Sequence, residues 1–228
     1  MSSTNTSFDY IELYYDKGVD LRTRTLYMGS EEGTENEIGY LVAQRVIKGL
    51  DVLSQYGNKK LPITIKMNTM GGDVINGMAV YDAIRECKEE VHIIVCGSAM
   101  SMGAIILQAA DKRIMHPHAT IMIHYGTSGH TTHSKDRARW SKWYDQLDEW
   151  MDNLFLSILK PVTLETIRRL QGREAPKGPS KSKLTKWNKD ILQSIINFDT
   201  FINAEDAVNL GLVDEVVRST DRLIIKGE

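Results

Sequence analysis

Between residues 61 and 124 the chain repeats one alternation: a short apolar run, then a segment whose apolar residues recur at helical spacing. Residues 61–67, 91–96, 113–115 and 119–124 read as strands, and residues 74–87 and 101–110 as helices. A strand that meets its neighbour only after a helix pairs with it in parallel, through a right-handed crossover. The fold class is therefore α/β with a mostly parallel sheet. A chain of 228 residues suffices for one such domain and not for two independent ones, so a single domain over 1–228 is expected.

The flanking segments fit the same plan. Apolar alternation in residues 8–15 and 23–28 predicts two earlier strands. Thr34 and Glu37 have capping-box spacing, and Ile38, Leu41, Val42, Val46, Leu50 and Leu53 then predict an amphipathic helix to residue 56. Residues 134–159 carry Trp140, Tyr144, Leu147, Met151, Leu154 and Ile158 at helical period, widened by Trp143 and Trp150. So aromatic a face serves as core or as a contact between subunits. Residues 172–182 (GREAPKGPSKS) collect Gly, Pro and Ser, with basic residues continuing to Lys189, and predict a basic surface insertion over 172–190. Asn203 caps a short helix that Gly211 ends, before a closing strand at 212–217.

Composition excludes several classes. With 28 basic and 30 acidic side chains the net charge is -2, so no overall field draws the chain to nucleic acid or an anionic membrane. Two cysteines, Cys87 and Cys96, are too few for a disulfide framework or a clustered zinc site, and read as buried thiols in a reducing compartment. The first ten residues show no basic region followed by an apolar stretch, and no apolar run approaches the roughly 20 residues that cross a bilayer. A cytoplasmic location is expected.

Three junctions carry chemistry. In Met67-Asn68-Thr69-Met70-Gly71-Gly72 a glycine pair ends a strand, where the backbone turns sharply and aims an N–H outward. In Gly97-Ser98-Ala99-Met100-Ser101-Met102-Gly103-Ala104 a strand gives way to a small-residue helix, and a serine at such a junction exposes its hydroxyl beside unpaired N–H groups. Alone, Ser101 reads as a helix cap. In Ile121-Met122-Ile123-His124 a histidine closes an apolar strand. Together with an acid it supplies the general base that a serine hydroxyl needs near neutral pH.

These blocks, with Gly77-Met78-Ala79-Val80-Tyr81-Asp82, Asp199-Thr200-Phe201-Ile202-Asn203-Ala204 and Gly211-Leu212-Val213-Asp214, make the chain resemble the proteolytic subunit of the ATP-dependent Clp protease over residues 8–217. The resemblance implies a ClpP/crotonase-like spiral of ββα units with a protruding handle, strand plus long helix, near 125–160. It implies Ser101 as nucleophile, His124 as general base and then acid, and Asp199 as the carboxylate that orients the imidazole. It also implies backbone N–H groups of Gly72 and Met102 as the oxyanion hole, a donor of that kind contributing about 3 kcal/mol. Two stacked heptameric rings, polypeptide substrates and a separate Clp-family ATPase unfoldase follow from the same resemblance. The chain shows neither a phosphate loop nor a dinucleotide fingerprint, so no cofactor is expected in it, and ATP belongs to the partner.

The chain departs from the family at Met70, Met100 and Tyr125-Gly126, all neighbours of the chemistry, and has a longer interval between His124 and Asp199, which leaves Asp190 as an alternative acid. Gly126 to Ser134 occupy the place of the family's glycine-containing handle strand, whose edge takes substrate by β-augmentation. His116, His118, His130 and His133 do not argue for a metal, since no supporting carboxylates accompany them. Two other functions stay open at this stage. One is a crotonase-like acyl-CoA enzyme, which shares the paired N–H groups without the triad. The other is a noncatalytic ring subunit.

Overall fold

The structure is a computed structural model and describes residues 13–29, 37–126, 136–173 and 183–217. Its helices and strands interleave throughout, beginning with a helical segment α1 (residues 13–17), β1 (Val19–Asp20) and β2 (Thr25–Met28). The predicted first strand is corrected here, because the Gly18 N–H closes a helical turn on the Tyr14 carbonyl at 3.1 Å and residues 13–15 are helical. Residues 8–12 lie outside the described residues.

The predicted helix after residue 34 starts later. Glu37–Ile38 form β3, which pairs in parallel with β5 (Gly71–Gly72), and α2 runs Tyr40–Gln55 from Gly39 without a side-chain cap. A backbone partner has taken residues 37–38, as Asp73 N–H bonds the Ile38 carbonyl at 2.9 Å, so helix begins only beyond them. Thr34 lies outside the described residues. Along α2 the buried face is Ala43, Val46, Gly49, Leu50 and Leu53, while Leu41 points to solvent.

β4 (Ile63–Thr69), α3 (Val74–Glu86), β6 (Val91–Met100), α4 (Met102–Leu107), β7 (Lys112–Met115) and β8 (Thr120–Ile123) deliver the predicted alternation. The main sheet runs β1-β2-β4-β6-β7 and ends on β12 (Glu215–Val216), every pair from β2 onward being parallel. Ile63, Ile65, Met67, Val91, Ile93 and Val95 are wholly buried within it. Each such side chain contributes about 1.5–3 kcal/mol to folding. The same alternation turns Cys96 outward, so it is an exposed free thiol and not a buried one.

β6 is longer than predicted. Beyond Val95 it leaves β7, and Ser98, Ala99 and Met100 pair in parallel with β8 instead, which keeps them in extended form. β11 (Thr200–Ile202) adds antiparallel to β8.

The long helix α5 (Arg137–Ile158) buries only Met151, Asp152 and Phe155. Trp150 packs edge-on against Tyr81 of α3 with centroids 5.4 Å apart. Trp140, Trp143 and Tyr144 cluster among themselves near the other end. Beyond it come β9 (Val162–Thr163), α6 (Leu164–Leu170), β10 (Leu184–Thr185), α7 (Lys189–Ile196) and α8 (Ala204–Leu210). β10 pairs with β9, and Lys189 opens α7, so the basic stretch 172–190 has folded ends around residues 174–182, which lie outside the described residues. Asn203 caps α8 through Asp206 N–H and Gly211 ends it at φ 82°, as the sequence predicts.

Candidate active site

Two strand registers bring the predicted residues together. Parallel pairing of Met100 with Met122 continues into a hydrogen bond from Ser101 N–H to the Met122 carbonyl at 2.8 Å, setting Ser101 beside the end of β8. Antiparallel pairing of Ile123 with Thr200 then makes His124 and Asp199 the next facing residues. The side chains complete the chain of contacts. His124 Nε2 lies 2.8 Å from Ser101 Oγ, and His124 Nδ1 lies 2.8 Å from Asp199 Oδ1. A carboxylate only accepts, so Nδ1 carries the proton and Nε2 is left to accept from the serine hydroxyl.

Ser101 has φ 51° and ψ −119°, a conformation that costs a non-glycine residue of the order of 1–3 kcal/mol. The strain is held by the bond to β8 on one side and the start of α4 on the other, and it lifts the side chain off the helix. Ser101 makes no cap hydrogen bond with its side chain, so the cap reading is corrected: Oγ belongs to His124. Met102, first residue of α4, has an N–H with no intrahelical acceptor.

The glycine pair packs against this turn. Gly71 has φ 99°, and a Cβ there would sit 2.6 Å from Ser101 Cβ and 2.8 Å from the Met100 carbonyl. Gly72 has φ 145°, and a Cβ would run into the backbone of Ile38 on β3. Side chains are thus excluded from both positions, which lets the β5 backbone lie directly beside the Ser101 turn.

A groove of about 1150 Å³ opens over the site, with Gly72, Ser101, Met102 and His124 in its wall. It extends along α5 past Trp140, Tyr144 and Trp150, and its apolar floor includes Met70, Met78 and Met122. Met70, one of the departures noted in the sequence, is therefore a wall of the groove. Asp148 also lines it, and burial, followed by the charges of Asp152 and Asp145, raises its carboxyl above the ordinary value.

Asp190 lies on the first turn of α7, and Asp199 is the acid that reaches His124. His116 and His118 are exposed, and among the described residues no three His, Cys, Asp or Glu side chains converge as a metal site. His130, His133 and the predicted handle strand up to residue 134 lie outside the described residues, apart from Gly126 in the groove wall.

Sequence reasoning missed Asp152. Its side chain is 3% exposed and accepts from the Tyr125 hydroxyl at 2.6 Å and Gln193 Nε2 at 3.1 Å, with Lys189 Nζ at 3.4 Å. Burial, and then the Asp152 hydrogen bond, push the Tyr125 phenol well above its ordinary range, so it remains the donor. An acid on the inward face of α5, between Met151 and Phe155, is the signal that was present in the sequence.

Comparison with known proteins decides the family. The Clp protease family model matches residues 21–174. The chain belongs to the Clp protease family. An ATP-dependent Clp protease proteolytic subunit 3 from Parasynechococcus marenigrum (strain WH8102) is 31% identical over 212 residues, 91% of this chain and 88% of that protein. The chloroplastic proteolytic subunit 3 of Arabidopsis thaliana is 27% identical over 201 residues, 86% of this chain and 54% of that protein. Among solved structures, a mutant of ClpP1 from Listeria monocytogenes has a TM-score of 0.62 at 23% identity, covering 87% of this chain and 94% of that one. The Clp protease fold expected from the sequence is thus the fold observed. The family model spans Ser101 and His124 and ends before Asp199, whose placement comes from the β8–β11 ladder. Among the described residues no helix is long and apolar enough to cross a membrane.

Proposed function

We propose that the chain is a serine endopeptidase of the Clp type, and the observation that carries this reading is the unbroken contact from Ser101 Oγ through His124 to Asp199. Ser101 Oγ attacks the scissile carbonyl carbon as His124 Nε2 takes the hydroxyl proton, and Asp199 holds the imidazolium. The negative oxygen of the tetrahedral intermediate accepts from Gly72 and Met102 N–H, a role supported by both residues lining the groove together with Ser101. Collapse breaks the C–N bond, and Nε2 returns its proton to the leaving amine. Water then attacks the acyl-serine, giving its proton to Nε2, and deacylation restores the hydroxyl.

The strained Ser101 supports this over a noncatalytic ring subunit, which has no use for a strained turn that frees a hydroxyl. An acyl-CoA enzyme of the crotonase kind would need the paired N–H groups and not a serine–histidine contact.

The larger reading is a ring homo-oligomer, two stacked heptamers in the cytoplasm, that cleaves short peptides unaided and receives folded proteins from a Clp-family ATPase. No cofactor enters the hydrolysis. Support comes from the family, from the free Cys87 and Cys96 that suit a reducing compartment, and from the half-buried aromatics at one end of α5.

Labelling by a fluorophosphonate probe tests the chemistry. The assembled protein should label at Ser101 and Ser101→Ala should not, and a wild-type protein that stays unlabelled would overturn the peptidase. Mass photometry tests the ring, which a stable, active monomer would sink. Rapid degradation of a tightly folded substrate without ATP would sink the motor requirement.

A further inference from the structure

Tyr125 follows His124 and is tied down twice. Its backbone N–H donates to the carbonyl of Ile196, the last residue of α7, at 2.8 Å, and its hydroxyl donates to Asp152 at 2.6 Å. Asp152 reaches α7 as well, through Gln193 Nε2 at 3.1 Å and Lys189 Nζ at 3.4 Å. One buried carboxylate on α5 therefore fastens the residue next to His124 and the helix that leads into Asp199. A carboxylate at this depth persists only with such partners, and losing one leaves it under-satisfied.

We propose that Asp152 is a positioning residue, which through Tyr125 and α7 holds His124 and Asp199 at the separation where Nδ1 meets the carboxylate. The proposal rests on the reading of Ser101, His124 and Asp199 as a peptidase triad. Neither Asp152 nor Tyr125 lines the groove, so neither is placed to contact a bound peptide. Their influence falls on the alignment of the imidazole, where a displacement of about 1 Å can cost on the order of 100-fold in rate. A role confined to fold stability would lower the unfolding temperature and leave chemistry in the folded protein intact. A role in shaping the groove would raise KM.

The test uses the assembled full-length protein with Tyr125→Phe, Lys189→Met and Asp152→Asn. Measured in parallel, well below each unfolding midpoint, are the rate of Ser101 labelling by a small fluorophosphonate and kcat and KM on a short fluorogenic peptide. Tyr125→Phe should lower the labelling rate and kcat together by about tenfold with KM within about twofold of wild type, and Lys189→Met should shift them the same way by less. Should Asp152→Asn fail to fold, Tyr125→Phe, which deletes a single oxygen atom, keeps the test decisive. Wild-type labelling and kcat in Tyr125→Phe, or a change confined to KM, would overturn the positioning role while leaving the peptidase intact. A wild-type protein that does not label would remove the peptidase reading and this one with it.

Discussion

Ile123 and Thr200 face each other across the β8–β11 ladder, and this pairing sets His124 opposite Asp199 with Nδ1 2.8 Å from Oδ1. The acid arrives from 75 residues downstream, yet its partner is determined by the strand next to it. Asp199 itself is 62% exposed, so solvent screens its charge, and in the proposed mechanism its main service is to hold the ring in one tautomer and orientation.

Asp199→Asn should therefore fold normally and lose activity. An amide at this position presents a donor to Nδ1 and favours the wrong tautomer, which lowers kcat on the order of 10³ to 10⁴. Peptide kinetics beside a thermal melt check this. A rate close to wild type would mean that another acid serves His124, and Asp190→Asn would be the next variant.

Gly71→Ala should be more damaging than a methyl group suggests. The new Cβ meets Ser101 Cβ at 2.6 Å and the Met100 carbonyl at 2.8 Å, in a backbone conformation that L residues rarely adopt. Displacing the nucleophile turn by about 1 Å lowers the labelling rate on the order of 100-fold. An unaffected labelling rate would show that β5 can recede without disturbing Ser101.

The Arg113–Asp214 pair should make stability sensitive to acid. Burial would raise the Asp214 carboxyl, but hydrogen bonds from the Arg113 side chain and backbone N–H, with its charge, bring it below the ordinary value. A depressed carboxyl stabilises the fold above its unfolded pKa of about 4 and loses that contribution as pH falls through the folded value. Asp214 is 38% exposed, so the contribution after screening is of the order of 1 kcal/mol at most. Denaturation curves for Asp214→Asn should lie below wild type at pH 7 and approach it as the pH is taken down below the ordinary carboxylate range. Parallel curves at both ends of this pH range would rule this out.

Deleting residues 174–182 should leave cleavage of short peptides within about twofold and alter the handling of protein substrates. The flanking segments remain joined through the β9–β10 pair, and a Gly, Pro, Ser and Lys stretch supplies no core. Comparing kcat/KM on a short peptide with that on an unfolded protein distinguishes the two effects. Strong resistance of this stretch to limited proteolysis in the assembled protein would mark it as a subunit contact instead.

Periodicity and small-residue junctions were enough to read the βαβα core and the places of Ser101 and His124, because both close apolar strands whose direction the crossover rule sets. Element ends were less legible. Glu37 looked like the third residue of a capping box, but a two-residue pairing with Gly71–Gly72 claimed it, and such a contact leaves no local pattern. Cys96 looked like the end of a strand until pairing with β8 carried it on through Ser98 to Met100, and it looked buried until strand parity turned it out. Lys189 read as part of a solvated basic run, whereas its ammonium lies beside the buried Asp152. Apart from the outward turn of Cys96, each of these departures is a contact between residues far apart in the chain, which tertiary structure supplies and composition does not.

The division of β6 between two neighbours has a consequence for how damage to this protein would appear. His92 to Val95 belong with β7 and Ser98 to Met100 with β8, while β4 reaches the same end through Thr69 and Ala99, so Ser101 hangs from β4 and β8 and not from β7. Extended strands shift only in whole residues, and a slip of one turns every side chain to the opposite side. A molecule in which β8 has slipped has no partially aligned histidine; it is inactive. A lesion that slips the register of β8 should thus act by census, reducing the number of titratable serines while each surviving one turns over at the full rate, unlike Gly71→Ala or Tyr125→Phe, which slow every molecule.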